Sequence, residues 1–416
     1  MDSSMEERVG KDVRSEPIQI LGINKNYEYM VQATPEGCEQ TSPASVPLFE
    51  FFKATTYPEG EMITCAPSKD GEVNIEDSST HATTETEVRE SKKLQPDKIE
   101  KMRQAAEIHR QARFDIQRFI RPDMSLTDIA VRIENTTRAL SGKFNNYDLN
   151  RGWGFPTGLS LNSIAAHYTP NTDDQVYLRK GDVLKVDFGT QIDGYIIDSA
   201  FTVYFDPKFE MLAKAVQEAT ETGIRASGAE AHLGDIGGAI QEVMESYEVE
   251  LDGTTYPVRS IRNLSGHNIL PYQIHGGKGV PIINTYDQQR MEEGEVYAIE
   301  TFGSTGNGYV HENGVCSHYS RQLRYDVSQM RNLSEKARKL LYSINTKFSS
   351  LPFCRRWLDD MGHPDHTMAL NQLVNANLVT AYPPLVDRKG CYTAQYEHTI
   401  YLHPHRTEVL SRGPDF

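Results

Sequence analysis

The sequence predicts a domain of mixed helices and strands, α+β or α/β, on three observations. Apolar runs of strand length stand at 183–190, 194–205, 296–302 and 394–402. Amphipathic runs of helical period lie before and between them, near 210–227 and 236–247. Composition is that of an ordinary globular chain, 38% apolar and 24% charged, so the alternation reflects layered elements around a core. At 416 residues the chain exceeds one small core, which calls for a large domain with an extension, or two domains.

In chain order, residues 1 to about 90 read as a polar, largely irregular extension, rich in Glu, Ser and Thr. One apolar island, Pro47-Leu-Phe-Glu-Phe-Phe, can dock on the body. Structure is expected to start near Pro96, with Ile99, Met102, Ala106, Ala112, Ile116 and Ile120 on one helical stripe that Arg121-Pro122 ends. A second helix follows Ser125, a suitable cap with Asp128 three residues on, and stops before Gly142. Residues from about 320 to 380 are again helical in pattern.

Net charge is −15, which disfavours direct DNA binding by the bulk surface. No apolar window is long enough to span a membrane, and MDSSMEERVG has no signal-peptide core. Cys38, Cys65, Cys316, Cys354 and Cys391 are scattered without a CxxC, which fits a reducing, cytoplasmic compartment. Gly279 follows Lys278 where a P-loop needs Ser or Thr, so Gly276-Gly-Lys is not a phosphate cradle.

The strands carry acids. Asp187, Asp198, Glu300 and Glu397 each sit in an apolar run, where an unpaired carboxylate is costly. If the chain folds back between 192 and 193, Asp187 and Asp198 face each other directly, with Cβ atoms about 5 Å apart. Like charges so placed repel, unless one is protonated or a cation lies between them. Salt-bridged structural acids are the bland alternative for any one of them. For the four together, two divalent cations balance the charge, and a neutral imidazole such as His267 completes an O/N ligand set suited to Mn, Fe, Co or Zn.

The motifs Phe155-Pro-Thr-Gly-Leu-Ser-Leu-Asn, Ala166-His-Tyr-Thr-Pro-Asn, Val186-Asp-Phe-Gly-Thr, Ile197-Asp-Ser-Ala-Phe-Thr-Val, Met291-Glu-Glu-Gly-Glu-Val-Tyr-Ala-Ile-Glu-Thr-Phe-Gly-Ser-Thr-Gly and Thr393-Ala-Gln-Tyr-Glu-His-Thr-Ile are long and specific. From about residue 93 onward the chain closely resembles the type 2 methionine aminopeptidases of the eukaryotic kind. That resemblance implies an α+β pita-bread catalytic domain over 91–416, with a helical insertion at about 320–381. It implies a dimetal site of Asp187, Asp198, His267, Glu300 and Glu397, with Asp198 and Glu397 bridging, and a catalytic group of His167, His275 and Glu300. Phe155, Ile274, His318 and Tyr382, with His167 and His275, are the implied substrate-binding residues. The implied activity is removal of the initiator methionine from nascent proteins, favouring small second residues, by hydroxide that two divalent ions (Co, Mn, Fe or Zn) activate. The expected partners are nascent polypeptides and, transiently, the ribosome, for a monomeric cytoplasmic enzyme. Ser265 and Leu270-Pro271 depart from the family pattern beside His267 and the substrate cleft. A prolidase-like hydrolase, or a pita-bread protein without catalysis that binds RNA or proteins, are the rival readings; the filled ligand positions and the Ala166-His-Tyr motif argue against them.

Overall fold

The computed structural model describes Leu21 and residues 40–53, 56–64, 85–142, 147 and 149–416; most of the extension, with Cys38 and Cys65, lies outside them. Two ordered pieces lie within the stretch read as irregular. Helix α1 (Leu48–Phe51) buries Leu48 completely against the body, and strand β1 (Glu61–Thr64) pairs antiparallel with Arg406–Val409. A four-residue strand carries too little periodicity to be read locally, and its partner lies at the far end of the chain.

Helix α2 (Glu85–Phe119) begins well before Pro96, where structure was expected to start. Its early residues lack an apolar stripe but are mostly good helix formers. Helix α3 (Leu126–Ser141) has the predicted cap: Ser125 Oγ accepts from the Thr127 and Asp128 amides, and Gly142 ends it at φ 82°. Strands β2 (Arg151–Leu161), β3 (Ile164–Ala166), β4 (Val183–Ile192) and β5 (Tyr195–Tyr204) follow. Next come helices α4 (Glu210–Ala226) and α5 (Leu233–Met244) and the short strands β6 (Glu248–Leu251), β7 (Thr254–Pro257) and β8 (Arg259–Ser260). Strands β9 (Ser265–Ile269), β10 (Gly279–Pro281), β11 (Val296–Ser304), β12 (His311–Glu312) and β13 (His318–Arg321) precede helix α6 (Glu335–Lys347). Strand β14 (Phe353–Cys354), helices α7 (Arg355–Asp360) and α8 (Thr367–Asn375), and strands β15 (Val379–Tyr382), β16 (Leu385–Val386), β17 (Thr393–Leu402) and β18 (Arg406–Val409) complete the order.

The main sheet runs β1-β18-β17-β11-β9-β10, with β8 also on β11, and β2-β4-β5 forms a second sheet. Strands β5 and β17 face each other without a shared backbone ladder, and side-chain hydroxyls join them. The Thr399 hydroxyl accepts from the Asp198 amide and donates to the Asp198 carbonyl, both at 2.7 Å. Ser199 donates to the Glu397 carbonyl at 2.7 Å, and Thr202 to the Gln395 carbonyl at 2.7 Å. These bonds hold two acid-bearing strands at one height.

The segment from about 320 to 380 holds helices α6, α7 and α8 and also a small sheet, β14-β13-β15. Its own apolar core includes Leu341, Ile344, Trp357, Leu370 and Leu373. Arg356 ties it to α3 through two bonds to the Glu134 carboxylate, at 2.7 and 2.9 Å.

The β4–β5 register differs from the one expected. Asp187 pairs with Ala200 and Asp198 with Gly189, so the two aspartates are diagonal neighbours on one face and not directly opposed. The turn centres on Asp193-Gly194, at φ 50° and 82°. Those left-handed values are what a two-residue hairpin matching strand twist requires, and Asp-Gly is its sequence signal. Directly opposed carboxylates do occur, but elsewhere: Glu300 pairs with Glu397 across β11 and β17.

Candidate metal centre

Five strands bring the acids and one imidazole together. Asp187 comes from β4, Asp198 from β5, His267 from β9, Glu300 from β11 and Glu397 from β17. His267 pairs with Ala298, two residues from Glu300 on the neighbouring strand. Its Nε2 stands 3.5 Å from both Asp198 Oδ2 and Glu300 Oε1. Ligand atoms of Asp198, His267 and Glu397 all lie within 4.8 Å of one another, so one ion can reach all three.

Glu397 and Asp198 are buried, at 1% and 4% exposure, and Asp187 and Glu300 are partly buried. Among the described residues no lysine or arginine forms an ion pair with any of the four. Burial, and then mutual repulsion, push the carboxyls of Asp187, Glu300 and Glu397 well above the ordinary range, and burial raises Asp198 to about 7. Burial holds His267 down at about 4, so it is a neutral imidazole near pH 7. Asp187 Oδ1, Asp198 Oδ1 and Glu397 Oε1 are buried and meet no hydrogen-bond donor. Lone pairs left bare in this way are costly, and a divalent cation satisfies them. The donor set of carboxylate oxygens and one imidazole nitrogen therefore fits divalent ions of the Mn, Fe, Co or Zn kind.

All eleven residues singled out from the sequence line one cleft of about 210 Å³: Phe155, His167, Asp187, Asp198, His267, Ile274, His275, Glu300, His318, Tyr382 and Glu397. His167 follows β3 in the left-handed region, at φ 70°, a conformation rare for a residue with a Cβ and frequent at functional sites. Burial, and then His275, lower it to about 4. His275 stacks edge-on against His267, with ring centres 4.4 Å apart. The residue is exposed, yet the protein packed around it, and then the neighbouring His267, hold it below the ordinary imidazole range. Around the other end, the rings of His167, His318 and Tyr382 are mutually 5.8–5.9 Å apart. Phe155 packs over Gly189, where an added Cβ would come within 2.3 Å of its ring.

The sequence reading gave no role to several residues of this cleft. Pro352 lines it and comes from the connection between α6 and α7, so the inserted segment contributes to the wall through a link between its helices. Ser265, one of the departures from the family pattern, lines it as well, whereas Leu270 and Pro271 lie outside it on the neighbouring hairpin tip. Gln395 touches three of the four acids; its signal in the sequence was an amide in an apolar strand, two residues before Glu397.

The profile of metallopeptidase family M24 matches residues 100–338. The chain is 51% identical to methionine aminopeptidase 2-1 of Fusarium vanettenii over 380 residues, 91% of this chain and 83% of that one. It is 53% identical to methionine aminopeptidase 2 of Clavispora lusitaniae over 338 residues, 81% of this chain and 77% of that one. Among solved structures, a thermophilic Arx1 superposes with a TM-score of 0.65 at 20% identity, over 77% of this chain and 92% of that one. A methionine aminopeptidase from Thermotoga maritima superposes with a TM-score of 0.50 at 19% identity, over 76% and 98%. At such identities these two likenesses speak for the fold alone.

Proposed function

The chain belongs to metallopeptidase family M24, in its methionine aminopeptidase 2 group, and from that premise we propose how its residues carry out the removal of an N-terminal initiator methionine. The observation that carries the proposal is the group of four acids, three of them with a bare buried oxygen, beside one neutral imidazole and, among the described residues, no cationic partner. Asp187, Asp198, His267, Glu300 and Glu397 would hold two divalent ions. Cobalt and manganese are the first ions to try on this ligand set. When bound, such ions supply an activated water and a Lewis acid for the scissile carbonyl.

The remaining steps belong to side chains. Glu300 would be ionised in the loaded site, and as a carboxylate it can take up the proton of the attacking water. His167 and His275 are neutral near pH 7 and act as hydrogen-bond donors, His275 to the carbonyl side of the scissile bond and His167 to its nitrogen. The acids near His267 also receive the free α-amine, which limits cleavage to the first residue. Phe155, Ile274, His318 and Tyr382 form the slot for the methionine side chain; the aliphatic Ile274 and the three rings suit an unbranched thioether, the rings through sulfur–aromatic contact. The cleft beyond the slot would then favour small second residues.

Among the described residues no helix is long and apolar enough to cross a membrane. The free thiols of Cys316, Cys354 and Cys391 support a cytoplasmic setting, where chains emerging from the ribosome are the substrates and the enzyme works as a monomer. The test is Glu300→Ala. Turnover of a Met-Ala-Ser peptide should fall by about 1000-fold or more, with the circular dichroism spectrum unchanged. A rate close to that of the unmodified enzyme removes Glu300 from the chemistry.

A further inference from the structure

Gln395 is 1% exposed and lies among the acids. Its Nε2 is 3.2 Å from Asp187 Oδ2, 3.4 Å from Glu300 Oε2 and 3.4 Å from Glu397 Oε2. Its backbone is pinned on both sides by one hydroxyl: the Gln395 amide donates to Thr202 Oγ1 at 2.9 Å, and that hydroxyl donates to the Gln395 carbonyl at 2.7 Å. A buried amide so placed has its two N–H bonds shared among three acceptors.

The pattern of oxygens is asymmetric. The amide takes one oxygen from each of three carboxylates. The other oxygens of Asp187 and Glu397 are buried with no donor, and that of Glu300 faces His267 Nε2 at 3.5 Å. We propose that Gln395 is a positioning residue that sorts these oxygens, fixing one of each pair in hydrogen bonds and turning the other toward the divalent ions. The inference rests on the metal reading of the site. An amide suits the task because it donates without charge. A lysine or arginine there would neutralise the acids and compete with the ions, and a carboxylate would add repulsion. Loss of such an outer partner of a ligand typically weakens metal binding by about 10- to 100-fold.

The experiment is calorimetric titration of Co²⁺ into metal-free protein, with the visible absorption spectrum of the cobalt form as a second readout. Gln395→Met keeps volume and removes the donors; Gln395→Asn keeps an amide but shortens its reach, and serves if the first variant does not fold. Both should bind Co²⁺ about 10- to 100-fold more weakly than the unmodified protein, with shifted d–d bands. Unchanged or tighter binding with an unchanged spectrum overturns the proposal, since the amide would then merely occupy the space of an ion. If the unmodified protein itself takes up no Co²⁺, the metal site falls and this inference with it; normal uptake by all three proteins removes only the role of Gln395.

Discussion

Glu134 and Glu408 are buried about as deeply as Asp198 and Glu397, at 5% and 0% exposure against 4% and 1%, yet they keep different company. Glu134 receives two bonds from Arg356 and one from the Trp357 indole at 3.0 Å. Glu408 receives Arg103 at 2.8 and 3.0 Å, His403 at 2.9 Å and the Gly60 amide at 2.9 Å. Burial alone would raise its carboxyl, but these bonds outweigh burial and bring it to about 2. The central acids have the burial without the partners, and their carboxyls move the other way. Where this chain buries an acid for structure, it supplies the donors from its own sequence: cations for Glu134 and Glu408, and the Ser304 hydroxyl with the Asn307, Gly308 and Arg388 amides for Asp387. The central four have neither a cationic partner among the described residues nor, in three of them, a donor for the second oxygen, which makes them the candidates to receive cations from solution.

Three measurements would break or sharpen that contrast. The largest effect should come from Arg356→Met. It strands the Glu134 carboxylate where α3 meets α7, and removing one partner of a buried pair costs about 3–5 kcal/mol. Urea unfolding of the metal-loaded enzyme measures it; a loss below about 1 kcal/mol would mean the pair is not what secures the inserted helices.

The second effect is a pH dependence. Asp198 is raised in the folded protein to about 7 from an ordinary 3.8. A group so raised contributes stability below its unfolded value, and that stability is lost as pH climbs through the folded one. Glu408 has the opposite sign: its contribution is full above its ordinary 4.5 and is lost as pH falls toward about 2. His109, His167, His267, His275, His318 and His398 are all lowered, so their contribution grows as pH rises and is complete only about one unit above the ordinary 6.5; the test belongs above about pH 7.5. Between about pH 7.5 and 8.5 the melting temperature of chelator-stripped protein should fall as the raised carboxyls ionise, and metal-loaded protein should lose that slope. Parallel melting curves for the two forms would contradict a cation-free cluster of acids.

The smallest effect is expected from Glu397→Gln. In the metal-free protein it removes a repelled carboxylate while keeping its shape, so stability should stay within about 1 kcal/mol of the unmodified protein or rise. Chemical denaturation without metal checks this. A loss as large as that of Arg356→Met would place Glu397 among the structural acids.

Much of this was legible in the sequence, for reasons that differ by residue. Ser125 and Gly142 delimit α3 through bonds within a few residues, and the four long strands show themselves as apolar runs. The acids stood out because carboxylates are rare in such runs, and the family motifs gave them roles. The β4–β5 register was also within reach, since Asp193-Gly194 is a local turn signal; centring the turn one residue early turned a diagonal pair into an opposed one.

What the sequence determined by itself, then, is the kind of element each stretch forms and the kinds of side chain it brings. Capping, periodicity and turn chemistry act over a handful of residues and need no partner. Tertiary structure decided who meets whom. The opposition of Glu300 to Glu397, the hydroxyl bonds that join β5 to β17, the Glu134–Arg356 pair across 222 positions and the reach of Gln395 to three acids all depend on which strands and helices pack together. That choice comes from burying the whole apolar surface at once, a property of the assembled chain that no short stretch carries.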